Sequence, residues 1–168
     1  MKKWLVSFLL IFAMGSAMAQ TATQEPPYKQ FPTLPPLQLL LSDSTTKFTK
    51  DDLPKKKPVF FLLFSPDCSH CQHTTEEILK YKDDFKDIEI VMATLNPLWQ
   101  MNEFIEKYKL KELPNMVVGK DYSYVMPSFF NIKNLPFMAF YNKKGDLISI
   151  YEGSLDISRV LTIFNENK

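Results

Sequence analysis

Cysteine is nearly absent from this 168-residue chain. There are two, Cys68 and Cys71, both in the stretch FSPDCSHCQH over residues 64–73. A disulfide-stapled scaffold carries more cysteines at wider spacing. A bridge from Cys68 to Cys71 would close so small a loop that it adds little stability, because the chain-entropy gain grows with loop length. Histidine is equally scarce, and both copies, His70 and His73, fall in the same stretch. Structural zinc sites usually draw ligands from two separated loops. A helix beginning here turns about 100° per residue, so the cysteine pair and the histidine pair face apart by about 200°. No other cysteine or histidine completes a tetrahedron. Neither a structural staple nor a metal site is expected.

Charge of one sign is also lacking. Twenty Lys and Arg stand against 19 Asp and Glu, for a formal net charge of +1. No basic face offers an electrostatic reason for nucleic acid as a partner. The apolar run Trp4 to Met14 is too short to span a bilayer comfortably. Lys2 and Lys3 precede it, and Gly15-Ser16-Ala17-Met18-Ala19 follows it. That order reads as a secretory signal over residues 1–19, with cleavage before Gln20 and a periplasmic or secreted protein; the alternative is an uncleaved anchor. No cysteine lies near the cleavage point to take a lipid. Cleavage removes two of the 20 basic residues against 19 acids, leaving one net negative charge.

What is present fits one domain of common size. Apolar residues make up 45% of the chain and aromatics 14%, which is ample for a core and unlike a disordered chain. No internal repeat is visible. Residues 20–36 carry Pro26, Pro27, Pro32, Pro35 and Pro36, an extended linker, disordered or laid along the surface. The domain proper is expected over 37–168. It opens with a hairpin, Leu37–Leu41 and Thr45–Phe48, followed by a helical turn near Thr49–Leu53. Pro58–Phe64 is a continuous apolar run that suits a strand covered on both faces. Cys71, Thr74, Ile78, Tyr81 and Phe85 then recur at helical spacing. Ile88–Ala93 is a strand, and Asn96-Pro97 supplies an N-cap and a first-turn proline for a helix running to about Tyr108. Met116–Val118 is a short strand, and Tyr122–Asn134 is loop or short helix. Phe137–Tyr141 and Leu147–Tyr151 form a hairpin about Asn142–Gly145. Ser154 can cap a last helix with the stripe Ile157, Val160, Leu161 and Phe164. This order implies one mixed α/β sheet with helices on both faces.

Cys-x-x-Cys at the start of a helix that follows a buried strand is a redox signature. Cys68 would sit at the helix N-terminus, where unpaired N–H groups and the dipole favour an anion. It is the expected nucleophile. Cys71, one turn on and facing the core, is the expected resolving thiol, which clears a mixed disulfide by attacking it. His70, cationic or as a hydrogen-bond donor, supports a Cys68 thiolate and thus a more oxidising couple. Asp67 opposes that charge, while also suiting the helix N-terminus. The direction of electron flow stays open between them. His73 shares its face with Glu76 and Glu77 and reads as a solvated surface residue.

Leu37 to Glu77 (LQLLLSDSTTKFTKDDLPKKKPVFFLLFSPDCSHC…), with Phe130 to Gly153 (FNIKNLPFMAFYNKKGDLISIYEG), resembles the exported thioredoxin-like proteins of the TlpA/ResA type. The resemblance spans about residues 35–168. It implies a thioredoxin fold with an extra N-terminal β-hairpin, and thiol-disulfide exchange with protein thiols or disulfides, without a cofactor. It implies a membrane redox partner for recycling, and a monomer. It also places at Pro136 the proline that faces the active site through a cis bond, with Leu135 offering its backbone to a substrate peptide. The chain departs from the pattern at Asp67, where Trp is usual, at His70, where Pro is frequent, and at Thr74 and Glu76. The Thr74 departure removes the Glu of the cytochrome-maturation members. A histidine at position 70 resembles the strongly oxidising periplasmic disulfide donors.

Other readings share the fold. A peroxiredoxin-like peroxidase needs a cation near the thiolate, and Arg159, the only arginine, lies in the last helix. A copper-delivering protein needs a third soft ligand, and no histidine follows His73. A thioredoxin fold kept as a binding platform is the remaining alternative.

Overall fold

In the computed structural model, residues 25–167 are described; the signal-peptide reading lies outside them. A one-turn helix α1 (Pro27–Gln30) precedes the hairpin β1 (Gln38–Leu40) and β2 (Lys47–Thr49). Then come β3 (Val59–Phe64), α2 (Ser69–Lys80), β4 (Glu89–Thr94), α3 (Leu98–Lys107) and β5 (Met116–Asp121). A short α4 (Val125–Phe130), the hairpin β6 (Phe137–Tyr141) and β7 (Leu147–Glu152), and α5 (Ile157–Glu166) complete the chain. Among the described residues, seven strands form one sheet in the order β2-β1-β5-β4-β3-β6-β7. β3, β4 and β5 run parallel, while β1, β2, β6 and β7 join antiparallel.

The central strands explain the layering. Every residue of β3 and β4 is buried, which requires cover on both faces. Phe60, Leu62 and Phe64 of β3 pack with Cys71 and Ile78 of α2, Met101 and Phe104 of α3, and Val160 and Phe164 of α5. The alternate residues, Val59, Phe61 and Leu63, pack with Leu37, Phe48, Met126 and Phe130 on the other face. The period of two in the strand therefore divides one apolar run between two cores. The fold is an α/β mixed sheet with helices on both faces and an additional N-terminal hairpin.

Local expectations are refined at four places. β5 runs to Asp121 rather than stopping at Val118, because β4 goes on pairing with Gly119 and Lys120 and β1 pairs with the far end (Leu39 with Asp121, Leu40 with Lys120). That pairing needs Gly119: a Cβ there would stand 2.7 Å from the Leu39 Cβ. Gly119→Ala is expected to destabilise the fold by about 1–3 kcal/mol, the usual cost of overpacking, measured as a lower urea midpoint. Asn96 does not cap α3. Pro97 occupies the N-cap position without a side-chain bond, since the Asn96 amide donates to Gln100 Oε1 at 2.8 Å and its carbonyl accepts from the Thr94 hydroxyl at 3.2 Å. Ser154 does not cap α5 either, as Asp156 holds that position. Within 122–134, Asp121 organises α4: its carboxylate accepts the backbone N–H groups of Met126 at 2.9 Å and Val125 at 3.3 Å.

The proline-rich stretch lies against the domain over its described part. Tyr28 of α1 packs on Phe130 of α4 with ring centroids 5.6 Å apart. The Pro32 carbonyl accepts the Leu147 N–H at 2.8 Å, and Thr33 bridges to Asp146.

Candidate active site

The site lies where the parallel strands end. β3 delivers Ser65-Pro66-Asp67, and the turn closes with the Cys68 N–H donating to the Ser65 carbonyl at 3.1 Å. Cys68 is then the N-cap of α2, in extended backbone conformation, and its sulfur accepts the Cys71 N–H at 3.3 Å. That is the place where Ser or Asp oxygens normally satisfy the free amides of a helix start. A sulfur there gains most when it is an anion, because the dipole and the N–H both point at it.

The second cysteine sits in a different medium. Cys71 has no exposed surface, whereas Cys68 is part-exposed, and both thiols are free. Burial pushes the Cys71 thiol up to about 12, and the Cys68 sulfur adds to this as hydrogen-bond partner and as charge. One thiol is thus offered at the rim in a donor-rich position, and the other is held protonated in the core.

The loop before β6 faces this pair. The Leu135–Pro136 peptide bond is cis, and the Leu135 carbonyl oxygen is 4.0 Å from Cys68 Sγ. The end of β7 pins that loop from behind. Glu152 accepts the backbone N–H groups of Lys133, at 3.2 Å, and of Asn134, at 2.8 Å. The Asn134 side-chain amide also donates to Glu152 at 3.1 Å. The Gly153 N–H donates to the Pro136 carbonyl at 2.8 Å.

The two tuning candidates are held by different elements. The Asp67 carboxylate accepts from Gln100 Nε2 of α3 at 3.4 Å. His70 turns toward the segment after β7, with Nδ1 3.1 Å from the Ser154 hydroxyl oxygen. His73 is exposed, as is Arg159 on α5. Among the described residues, no group of three His, Cys, Asp or Glu side chains is arranged to hold a metal ion.

Sequence reasoning passed over Glu152, Gly153 and Trp99. The first two look like the ordinary end of a hairpin until the register puts them beside the loop at 133–136. Trp99 is 60% exposed and lines a groove of about 230 Å³ with Pro66, Asp67, Gln72 and Gln100. Its signal was a tryptophan off the apolar stripe of α3, which buries Met101, Phe104 and Ile105.

No protein-family model matches the chain. Solved structures match its fold. DsbF of MTB, solved in mixed oxidized and reduced forms, is 18% identical with a TM-score of 0.67, covering 79% of this chain and 96% of its own. A secreted Mycobacterium tuberculosis disulfide oxidoreductase is 16% identical with a TM-score of 0.63, covering 76% and 93%. The exposed lipoprotein thioredoxin of Streptococcus pneumoniae is 23% identical with a TM-score of 0.58, covering 77% and 98%. The chain therefore has the thioredoxin fold.

Proposed function

We propose that this protein is an exported thiol-disulfide oxidoreductase that exchanges disulfides with protein substrates through Cys68-Ser69-His70-Cys71. One observation carries the reading: Cys68 Sγ caps α2 and accepts the Cys71 N–H at 3.3 Å, while Cys71 is buried beneath it. The same pairing of a rim thiol and a core thiol defines the chemistry. In the reducing direction, and in reverse when a substrate dithiol is oxidised, the Cys68 thiolate attacks a substrate disulfide, one substrate sulfur leaves as a thiol, and a mixed disulfide forms. Cys71 then gives up its proton, attacks Cys68 Sγ, and releases the second substrate sulfur.

The barrier to that second step is lowered by the first. Two of the causes that hold the Cys71 proton are the hydrogen bond and the charge of Cys68. The charge is gone once the Cys68 sulfur is bonded to substrate, and the neutral sulfur left there is a weaker acceptor. Cys71 is then easier to ionise at the point where an anion is required. Leu135 lies across from Cys68 and can receive the substrate backbone by edge pairing. The protein would act outside the cytoplasm after removal of residues 1–19, as a monomer, with a membrane partner restoring its redox state.

The test is equilibration of the full chain with glutathione redox buffers. A potential above about −270 mV is expected, the value for thioredoxin, because His70 supports the reduced form. A value at or below that would remove the His70 argument and indicate a reductase. Absence of any exchange would remove the functional reading itself.

A further inference from the structure

Three consecutive residues bind the site together from the sheet edge. Glu152 fixes the backbone of Lys133 and Asn134, Gly153 bonds the Pro136 carbonyl, and Ser154 meets the His70 ring at 3.1 Å. The turn between strand and ring is made at Gly153, with φ at +93°, a backbone conformation that side chains with a Cβ rarely adopt. Ser154 is free for this contact because α5 begins three residues later and is entered through Asp156.

The Ser154 hydroxyl is the one side-chain partner of the His70 ring among the described residues. A hydroxyl both donates and accepts. It can donate to a bare Nδ1 in the neutral ring, or accept from an Nδ1–H in the other tautomer or in the cation. The ring is held in each state, and Nε2 is left as its open polar atom. An exposed histidine without such a partner would spread over its rotamers, and a ring two residues from Cys68 in sequence would be less consistently placed.

We propose that Ser154 is a positioning residue of the redox site, fixing the His70 imidazole and through it favouring the dithiol form of the Cys68–Cys71 pair. This rests on the reading of the two cysteines as an exchanging pair. The reaction that reports it is balanced: the protein dithiol plus glutathione disulfide gives the protein disulfide plus two glutathione thiols. The protein loses two electrons and two protons, and glutathione disulfide gains them.

The experiment measures that equilibrium for the full chain and for Ser154→Ala, Ser154→Thr, His70→Ala and the Ser154→Ala/His70→Ala double variant. Ser154→Ala is expected to move the equilibrium about two- to fivefold toward the protein disulfide, the scale of one exposed hydrogen bond. Ser154→Thr keeps the hydroxyl and is expected to restore the wild-type value. In the His70→Ala background the Ser154→Ala shift is expected to vanish, since coupled residues are not additive. An unchanged equilibrium in Ser154→Ala, or an equal shift without His70, would overturn the proposal while leaving the exchange activity standing. A wild-type chain that does not equilibrate with glutathione would overturn both.

Discussion

Cys71→Ser is expected to accumulate covalent adducts with disulfide-bearing proteins, while Cys68→Ser is expected to exchange at least about a hundredfold more slowly than wild type. The asymmetry follows from the two environments. Cys68 is part-exposed and occupies the N-cap of α2, where its sulfur accepts the Cys71 N–H, and the thiolate is the attacking species. Cys71 has no exposed surface and keeps its proton up to about 12, chiefly through burial. It can neither reach a folded substrate nor ionise readily at neutral pH, so it cannot start the reaction alone. It can finish one, because Cys68 brings the mixed disulfide to it. Replacing Cys71 with serine removes the only internal nucleophile that clears that intermediate. Non-reducing gels would show the adducts, and a thiol reductant would collapse them. Adducts in Cys68→Ser instead, or none in Cys71→Ser, would reverse or remove the assigned roles.

The proton on Cys71 also gives the reduced protein a pH signature. A thiol whose folded value is raised above its unfolded value, ~8.5, favours folding while it stays protonated. Its contribution is whole below pH ~8.5 and is lost as pH rises toward about 12.

Much of this site was legible before any geometry. The apolar run ending at Phe64, the break at Ser65-Pro66-Asp67 and the helical spacing after Cys68 place the two thiols in unlike surroundings from local pattern alone. Periodicity works here because β3 is covered on both faces and α2 on one. What was hidden depends on register. Ser154 reads as a cap, since serine before an apolar stripe usually is one. Only the pairing of β6 with β7, Phe137 opposite Glu152, brings residues 152–154 alongside Leu135–Pro136 and then to His70. In the same way the last residue of β5, Asp121, is paired by Leu39 of β1, which lies far away in sequence, and Gly119 shows its purpose only when Leu39 is seen against it. Asn96-Pro97 illustrates the opposite failure. The local signal for a cap is strong, but Thr94 and Gln100 compete for the asparagine side chain.

Phe60→Ala is expected to cost about 3–5 kcal/mol of stability, the range for deleting a buried aromatic side chain. Phe60 is fully buried in the middle of β3. Its ring stacks on Phe140 at 5.2 Å, directly across the antiparallel pairing with β6, and lies 6.1 Å from Phe85 and 6.2 Å from Phe164. Phe140 and Phe164 also meet, at 5.6 Å. One ring therefore joins β3, β6, the turn after α2 and the last helix, and the surrounding rings are too rigid to collapse into the space it leaves. A domain of this size has about 5–15 kcal/mol in all, so the loss would consume a large part of it. The same core cluster contains Cys71 and Ile78 of α2. The platform that keeps the second thiol dry is thus the platform that Phe60 supports. Urea unfolding should show a lower midpoint with an unchanged slope. Phe31→Ala, at a position 63% exposed, should stay within about 0.5 kcal/mol. A Phe60→Ala loss below about 1 kcal/mol would mean that the ring cluster does not hold α5 against the sheet. The burial of Cys71 would then have to be maintained by α2 and α3 alone.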